Sequence, residues 1–234
     1  LRGSAQRGAD LVRQILSFAR GVGGEQVVLQ AKHLVSEMAK LAQETFPRSI
    51  RIEKSFAPDV HPVLGNATQL HQVLMNLCVN ARDAMPEGGV LCLEAANVLL
   101  EGKVSPWHVH PLSGPFVVLT VADTGGGMPP EVAGRIFEPF FTTKEIGKGT
   151  GLGLSTVQGI VKGHGGFVEV SSQVNQGTTF KVYLPALGTT ATAAAADNRP
   201  AVPKGKGEQI LVVDDEEALL EYNRLLLTAN GYRM

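Results

Sequence analysis

The chain has 234 residues, a formal net charge of −1, 44% hydrophobic residues and only two cysteines, Cys78 and Cys92. This apolar share excludes a wholly disordered chain, and the near-neutral charge argues against a nucleic-acid-binding surface or a polybasic membrane anchor. No apolar run approaches the ~18–20 residues that a membrane-spanning helix needs, and two cysteines are too few for a disulfide scaffold or a structural zinc site.

The first part of the chain contains two helical patterns. Apolar residues recur at helical spacing from residue 11 to 18, and the glycines at 21–24 end the pattern. Such an amphipathic helix needs a partner for its apolar side, either its own domain or the other half of a dimeric helical hairpin. A second helix is predicted over 27–46.

Alternating and apolar runs then predict a sheet with one well-marked helix. Asn66 with Gln69 three residues later is a capping-box arrangement, so a helix is predicted to begin there. We expect strands at 50–56, 90–96 and 116–122, the last one central because it is continuously apolar. Residues 97–115 are predicted to form a polar loop or a ragged hairpin.

The last elements are a short helix, a hairpin, a linker and one further strand–helix pair. The helix is predicted at 154–161 and the hairpin strands at 167–171 and 179–184, joined by a turn at 173–177. The stretch 185–207 is rich in Ala, Thr, Pro and Gly and is typical of a flexible linker. Beyond it, the pattern predicts a buried strand at 209–213 and a helix at 218–227.

Asn76 and Asn80 are four residues apart on the capped helix, so their amides project from one face, with Asp83 one turn further on. Uncharged oxygen donors at this spacing suit Mg²⁺ bound together with phosphate oxygens. The alternative is that these amides are solvent-exposed or cap neighbouring backbone.

Asp123 directly follows the apolar strand and precedes three glycines at 125–127. A carboxylate at a strand end can accept a hydrogen bond from an exocyclic amine such as adenine N6, and glycines let backbone approach a flat ring. An ordinary tight turn is the alternative explanation.

Thirteen of the 27 glycines fall between residues 125 and 177, and four of them alternate at 147–153 before the predicted helix 154–161. Backbone N–H groups at a helix start bind phosphate, and glycines permit the approach. The spacing fits neither a Walker A loop nor a dinucleotide fingerprint. A mobile surface loop is the alternative.

The segment 137–144 carries three of the chain's thirteen aromatic residues, at positions 137, 140 and 141. This pattern indicates a hydrophobic latch, with Lys144 available to a phosphate. A local core cluster explains the aromatic residues equally well.

In order and spacing, these features together resemble the ATP-binding domain of sensor histidine kinases. That family shares a larger group with type II topoisomerases, the ninety-kilodalton heat-shock chaperones and the mismatch-repair ATPases. The segments that look like its N, G1, F and G2 boxes are residues 76–85, 123–127, 137–144 and 147–154, followed by the Gly-Thr-Thr-Phe run at 177–180.

The resemblance covers about residues 25–187 and implies an α/β (α+β) two-layer sandwich of the Bergerat type, with a mixed, mostly antiparallel sheet packed against helices. It implies domains at 1–22 (second helix of a dimerisation and phosphotransfer hairpin), 25–187 (ATP-binding catalytic domain), 188–207 (linker) and 208–234 (start of a response-regulator receiver domain). The expected cofactors are ATP and Mg²⁺.

The resemblance also assigns site residues. Asn80 would coordinate Mg²⁺ with help from Asn76, and Asp83 lies beside them. Asp123 would read adenine N6 with Thr178, and Gly125 and Gly127 would shape the adenine pocket. The remaining assignments are the lid residues Gly149, Thr150, Gly151, Leu152 and Gly153, the phosphate-facing Lys144 and Lys148, and the receiver Mg²⁺ ligands Asp214 and Asp215.

An amide at Asn76 favours phosphoryl transfer over hydrolysis. Hydrolytic members of the group have a glutamate base at this place, and an amide has no useful basicity. Transfer would then rely on positioning and charge neutralisation, with Asn76 and Lys144 as catalytic residues.

The resemblance implies that the acceptor is a histidine followed by an acidic residue. None of the six histidines has that neighbour, so we expect the acceptor helix to precede the chain and the chain not to label itself. The expected partners are a second copy through the dimerisation helices and a response regulator or the protein's own receiver domain, with no nucleic acid, in the cytoplasm. The alternatives are a catalytically silent nucleotide-binding scaffold, a mechanical ATPase and a serine-directed relative.

Overall fold

The computed structural model describes residues 26–103, 111–144, 149–187, 205–213 and 217–233. The chain divides into two compact units, residues 1–188 and 189–234. The helix predicted at 11–18, most of the linker, Lys148, Asp214 and Asp215 lie outside the described residues. No helix in the described ranges is long and apolar enough to cross a membrane.

The first unit contains a five-stranded sheet in the order β2-β4-β5-β7-β6. The strands are β2 (Ile50–Phe56), β4 (Gly89–Lys103), β5 (Leu112–Asp123), β6 (Phe167–Gln173) and β7 (Gly177–Pro185). β2 and β4 are parallel, and the other three pairings are antiparallel. The predicted central position of the apolar strand is confirmed, because β5 lies in the middle.

Three helices and alternate residues of the sheet form one apolar core. The helices are α1 (Ala31–Thr45), α2 (Ala67–Asp83) and α4 (Gly153–Gly163), with a single turn, α3, at Pro130–Ala133. The sheet contributes alternating residues such as Leu91 and Leu93 to this core, and they are almost completely buried. Residues of the opposite face, Phe116, Phe167 and Tyr183, form a separate smaller cluster with Leu100. The predicted two-layer α+β sandwich is confirmed.

The helix predicted over 27–46 begins four residues later than expected. Val27–Gln30 is a strand, β1, which pairs with β3 (Pro62–Gly65) in a separate antiparallel ribbon. The apolar periodicity did not reveal this pairing because the partner lies more than thirty residues away in the sequence.

The region predicted as a polar loop or ragged hairpin at 97–115 is a hairpin whose strands continue the sheet. β4 and β5 remain paired from Leu91 opposite Asp123 to Leu100 opposite Gly114, and a register shift follows before Lys103 pairs with Leu112. The shift explains the ragged sequence pattern, since a bulge breaks the alternation of polar and apolar residues.

In the second unit, α5 (Glu217–Ala229) contains the helix predicted at 218–227. The buried strand predicted at 209–213 is wrong. The backbone there forms only an isolated bridge between Gln209 and Arg233, and Leu211 and Val213 are 87% and 84% exposed. An apolar run becomes a buried strand only when neighbouring strands pair with it and cover both faces, and the described residues of this unit supply none.

Candidate nucleotide-binding site

A cavity of about 560 Å³ lies between α2, the segment after β5, residues 136–144, the glycine loop at 149–153 and the start of β7. Most of the predicted site residues that the structure describes line it: Asn76, Asn80, Asp83, Asp123, Gly127, Lys144, Gly149, Thr150, Gly151, Gly153 and Thr178. Gly125 and Leu152 do not line it. Five stretches between residues 76 and 180 therefore meet at one concave site, which is the usual form of a small-molecule site.

The start of α2 is fixed as the sequence predicts, with one difference. Asn66 Oδ1 accepts a hydrogen bond from Gln69 N–H at 3.1 Å, as an N-cap does. The reciprocal bond of a capping box goes from N3 to the cap's own N–H, but Asn66 N–H instead donates to His164 Nε2 at 3.0 Å. The end of α4, where His164 lies, therefore holds the beginning of α2.

α2 buries one stripe and turns its two asparagines toward the cavity. Leu70, Val73, Leu74, Leu77 and Ala81 are all buried. The Asn76 amide nitrogen donates to the carbonyl oxygen of Gly153 at 3.2 Å. Gly153 is the first residue of α4. The Asn76 amide is therefore not merely solvent-exposed. Its nitrogen bonds to backbone, as the other alternative expects, and its oxygen remains as an acceptor.

The far end of α2 carries a cluster of charged groups around Asp83. Arg82 donates to Asp83 Oδ1 from Nε at 3.0 Å and from Nη2 at 2.8 Å, and Lys144 Nζ donates to Oδ2 at 2.6 Å. Burial alone would raise the pKa of the Asp83 carboxyl, but the bonds and charges of Lys144 and Arg82 outweigh burial and hold that pKa below its usual range. Asp83 is therefore ionised at neutral pH.

The same Lys144 ammonium group lies 3.5 Å from Asn80 Oδ1. The amide oxygen of Asn80 thus faces the cavity and already has a cation beside it. This contact brings the predicted metal ligand and the predicted phosphate-facing lysine together.

The donor set fits Mg²⁺ as the resemblance implies. Among the described residues, no group of three His, Cys, Asp or Glu side chains could hold a metal by itself. Mg²⁺ is ordinarily held by one or two protein oxygens together with phosphate oxygens and water. The amide oxygens of Asn80 and Asn76 at the cavity wall meet that requirement.

Asp123 also lines the cavity and is 8% exposed. Its Oδ1 accepts hydrogen bonds from the backbone N–H groups of Gly125 at 2.8 Å and Thr178 at 3.3 Å. Burial raises the pKa of this carboxyl, and the two backbone bonds counter the rise only in part. Both bonds hold the same oxygen, and within the described residues no bond to Oδ2 is made, so Oδ2 can accept from a ligand.

Glycines let backbone segments meet tightly beside Asp123. Gly127 has φ of +62°, and a Cβ there would lie 1.9 Å from the carbonyl oxygen of Gln173. A Cβ on Gly125 would lie 2.4 Å from the carbonyl oxygen of Ala84. These two positions therefore require glycine for packing, and of the two only Gly127 lines the cavity.

The glycine loop is anchored to the aromatic segment. Phe140 N–H donates to the carbonyl oxygen of Gly151 at 3.0 Å, and a Cβ on Gly151 would lie 2.3 Å from the carbonyl carbon of Phe140. Phe140 itself is 66% exposed, so the alternative of a local core cluster is wrong for this residue. Phe141, in contrast, contacts the guanidinium of Arg135, which lies 4.4 Å from the ring centroid.

Two residues near the site were not predicted from the sequence. His164 lies at the C-terminal end of α4, and nothing in the sequence marks it as a residue that also caps a second helix. Ser172 contacts Thr178 across the β6–β7 pair, with 2.9 Å between the hydroxyl oxygens. No local signal marks Ser172, because its role depends on which strand lies beside β6.

Comparison with known proteins agrees with this geometry. Residues 65–188 match the model of the histidine kinase-, DNA gyrase B- and HSP90-like ATPase family. The sensor kinase CckA of Brucella abortus is 38% identical over 99% of this chain, which covers 25% of that protein. The sensory histidine kinase/phosphatase NtrB of Azospirillum brasilense is 36% identical over 77% of the chain and 44% of NtrB.

Among solved structures, the catalytic domain of the histidine kinase ThkA is similar over 70% of this chain and 97% of its own length. Its TM-score is 0.57 and its sequence identity is 28%. The chain therefore matches nearly the whole length of a solved catalytic domain. It spans only a quarter of the length of CckA and less than half of the length of NtrB.

Proposed function

The chain belongs to the histidine kinase-, DNA gyrase B- and HSP90-like ATPase family as a histidine-kinase ATP-binding domain, and we propose that it binds Mg·ATP and transfers the γ-phosphoryl group to a histidine of a dimerisation helix in a two-component phosphorelay. The observation that carries the proposal is one cavity that is lined both by the buried carboxyl of Asp123 and by the Asn80–Lys144–Asp83 group. These two kinds of group match the two parts of a nucleotide, a hydrogen-bonding base and anionic phosphates.

At the base end, Asp123 accepts from the exocyclic amine of adenine. The carboxylate is buried and held by two backbone N–H groups, so its orientation is fixed before the ligand arrives. A fixed acceptor loses little conformational entropy on binding.

At the phosphate end, Lys144 and the backbone of Gly149, Gly151 and Gly153 neutralise and orient the phosphates. Mg²⁺, when bound, neutralises phosphate charge beside the amide oxygens of Asn80 and Asn76. Lys148 and Thr150 belong to the same loop, and we propose that they bind phosphate as well.

Transfer is favoured over hydrolysis by the chemistry of Asn76. Its amide nitrogen donates to Gly153, and an amide cannot remove a proton from water at neutral pH. We therefore propose that Asn76 positions the glycine loop and the phosphates and that no residue here acts as a base for water.

The proposed partners are a second copy of the protein, through the dimerisation helices, and a response regulator or a receiver domain in the same protein. Asp214 and Asp215 are proposed Mg²⁺ ligands of that receiver domain. With ATP as donor, we place the reaction in the cytoplasm. We also propose that this chain does not label itself, because none of its six histidines is followed by an acidic residue.

Equilibrium binding of ATP in the presence of Mg²⁺ tests the pocket. Asp123→Asn and Asn80→Ala should each weaken binding by on the order of 10- to 100-fold, since each loses a charge-assisted or metal-linked contact. Asp59→Asn is the matched control because Asp59 is exposed and does not line the cavity. Unchanged affinity in both site variants would contradict the pocket assignment.

Phosphoryl transfer is tested with γ-labelled ATP and a separately added hairpin domain that carries the acceptor histidine. We expect acid-labile label on the hairpin and none on the chain alone. If the chain binds ATP normally and the hairpin stays unlabelled, the chain is the catalytically silent scaffold. Acid-labile label on the chain itself would contradict the expectation that it does not label itself.

A further inference from the structure

An ammonium group of the protein bonds to an oxygen that the proposed function assigns to Mg²⁺. Lys144 Nζ donates to Asn80 Oδ1 at 3.5 Å and to Asp83 Oδ2 at 2.6 Å, and all three residues line the cavity. The other amide of the proposed metal set differs. Its nitrogen donates to Gly153, and among the described residues no hydrogen bond reaches the amide oxygen of Asn76. One of the two proposed metal ligands therefore already has a cation as its partner.

Asp83 is the anchor that keeps the ammonium group at this place. Its Oδ1 accepts two bonds from Arg82, at 3.0 and 2.8 Å, so Oδ2 is the oxygen that bonds to Lys144. The contact of 2.6 Å with the carboxylate is far shorter than the contact of 3.5 Å with the amide oxygen of Asn80, and a bond between two charged groups is also the stronger kind. The ammonium group can therefore leave Asn80 and stay bonded to Asp83.

The stem of the same side chain runs beside the glycine loop. A Cβ added to Gly149 would lie 3.2 Å from both Cβ and Cδ of Lys144. The ammonium group thus lies between the loop and α2, on the wall where the phosphates are proposed to bind. It has three hydrogens to donate, of which Asn80 and Asp83 accept two. One hydrogen is left for a phosphate oxygen.

Two cations on the Asn80 oxygen would repel each other. Mg²⁺ binds its oxygen ligands at about 2.0–2.1 Å, and the ammonium nitrogen lies 3.5 Å from the same oxygen. Like charges that share one neutral ligand repel at short range. The favourable arrangement therefore has one cation at a time on Asn80 Oδ1.

We propose that Lys144 and Mg²⁺ exclude each other at Asn80 Oδ1, with Asp83 as the positioning residue that keeps Lys144 within reach. While no metal is bound, the ammonium group occupies the amide oxygen and offers its charge to the phosphates. When the metal–nucleotide complex binds, Lys144 withdraws from Asn80 and keeps Asp83 and the phosphates as partners. This inference rests on the proposed function, because it presupposes a nucleotide with Mg²⁺ in the cavity.

The test compares ATP binding with and without the metal. We define the metal factor as the dissociation constant of ATP in EDTA divided by that in excess Mg²⁺, both measured by equilibrium binding to the whole chain. Lys144→Met removes the cation that replaces the metal in EDTA, so metal-free binding should weaken more than metal-bound binding. The metal factor should rise roughly tenfold, as expected for one charge-assisted hydrogen bond.

Independent binding of the two cations gives a different result. If Lys144 and the metal each contact the phosphates without sharing an oxygen, Lys144→Met weakens both forms equally and their effects add. An unchanged metal factor would therefore overturn the inference. Lys144→Gln, which keeps a polar end without the charge, should raise the factor in the same way and serves if Lys144→Met does not fold.

Arg82→Met is the matched control. Arg82 bonds to the same carboxylate and lines the same cavity, but among the described residues it makes no hydrogen bond to Asn80. Its loss should change the metal factor much less than the loss of Lys144, and an equal rise in both variants would overturn the inference in favour of a general effect of positive charge. Failure of the parent chain to bind ATP in either condition would overturn the proposed function as well, whereas normal binding with an unchanged factor in the Lys144 variants overturns the inference alone.

Discussion

Lys144 Nζ lies 2.6 Å from Asp83 Oδ2, and this ion pair joins the segment before the glycine loop to the last turn of α2. Both side chains are about one-third exposed, so the pair contributes at most about 1 kcal/mol to stability. Its importance is positional, because it holds the ammonium group beside Asn80 at the wall of the cavity.

We expect Lys144→Met to lower phosphoryl transfer to the added hairpin domain by on the order of 100-fold, because a preorganised cation at the phosphates is lost. The fold should persist, since the ion pair is worth little. Initial rates with labelled ATP at saturating concentration measure the effect. Lys54→Met, at an exposed position of β2, is the matched control, and equal rates in the two variants would contradict a role for Lys144.

Gly127→Ala should destabilise the protein by about 1–3 kcal/mol or more, because its φ of +62° is strained for alanine and the new Cβ would collide with the carbonyl oxygen of Gln173. The midpoint of urea unfolding measures the change. Gly126→Ala is the matched control, since a Cβ there meets nothing within 4 Å. Similar midpoints for the two variants would show that the tight contact at Gly127 does not exist in solution.

Features encoded within a few residues were predictable from the sequence. The N-cap at Asn66 involves a partner three residues away, and the spacing of Asn76 and Asn80 follows from the helical repeat alone. The central apolar strand was recognised for the same reason, since continuous burial leaves a continuous apolar run.

Features that depend on distant partners were not predictable in this way. The bond from Asn66 to His164 joins residues 98 positions apart, and strand β1 exists because β3 pairs with it. At 209–213 the sequence pattern is that of a buried strand, yet the described part of that unit offers no neighbouring strands. The local sequence pattern indicates which side chains of a segment are apolar enough to be buried. Whether they are buried depends on pairing with strands that are distant in the sequence.

We expect His164→Ala to destabilise the protein by about 1–3 kcal/mol, because it leaves the part-buried Asn66 N–H without its partner. It also removes one of the two hydrogen bonds to the carbonyl oxygen of Ile160, which keeps the bond from the backbone N–H of residue 164. The ring accepts from Asn66 N–H at Nε2, so Nδ1 carries the hydrogen that is donated to the carbonyl oxygen of Ile160 at 2.8 Å. Urea unfolding measures the loss. His71→Ala should lower the free energy of unfolding by no more than about 1 kcal/mol, since the contact between His71 Nε2 and Glu37 is partly exposed to solvent. Equal losses in the two variants would contradict the double role of His164.

Nucleotide affinity should fall as the pH is lowered from neutrality, and the fall should begin above the range in which an exposed aspartate titrates. Burial raises the pKa of Asp123 despite the bonds from Gly125 and Thr178, and protonation removes an acceptor that the adenine amine needs. Stability of the free protein has the opposite sign, because a carboxyl with a raised pKa in the folded state favours folding more as it becomes protonated. The measurement is the dissociation constant of ADP against pH, with Asp123→Asn as reference. The phosphates of ADP titrate identically in both proteins, so the ratio of the two constants isolates Asp123, and a ratio independent of pH would contradict its role in base recognition.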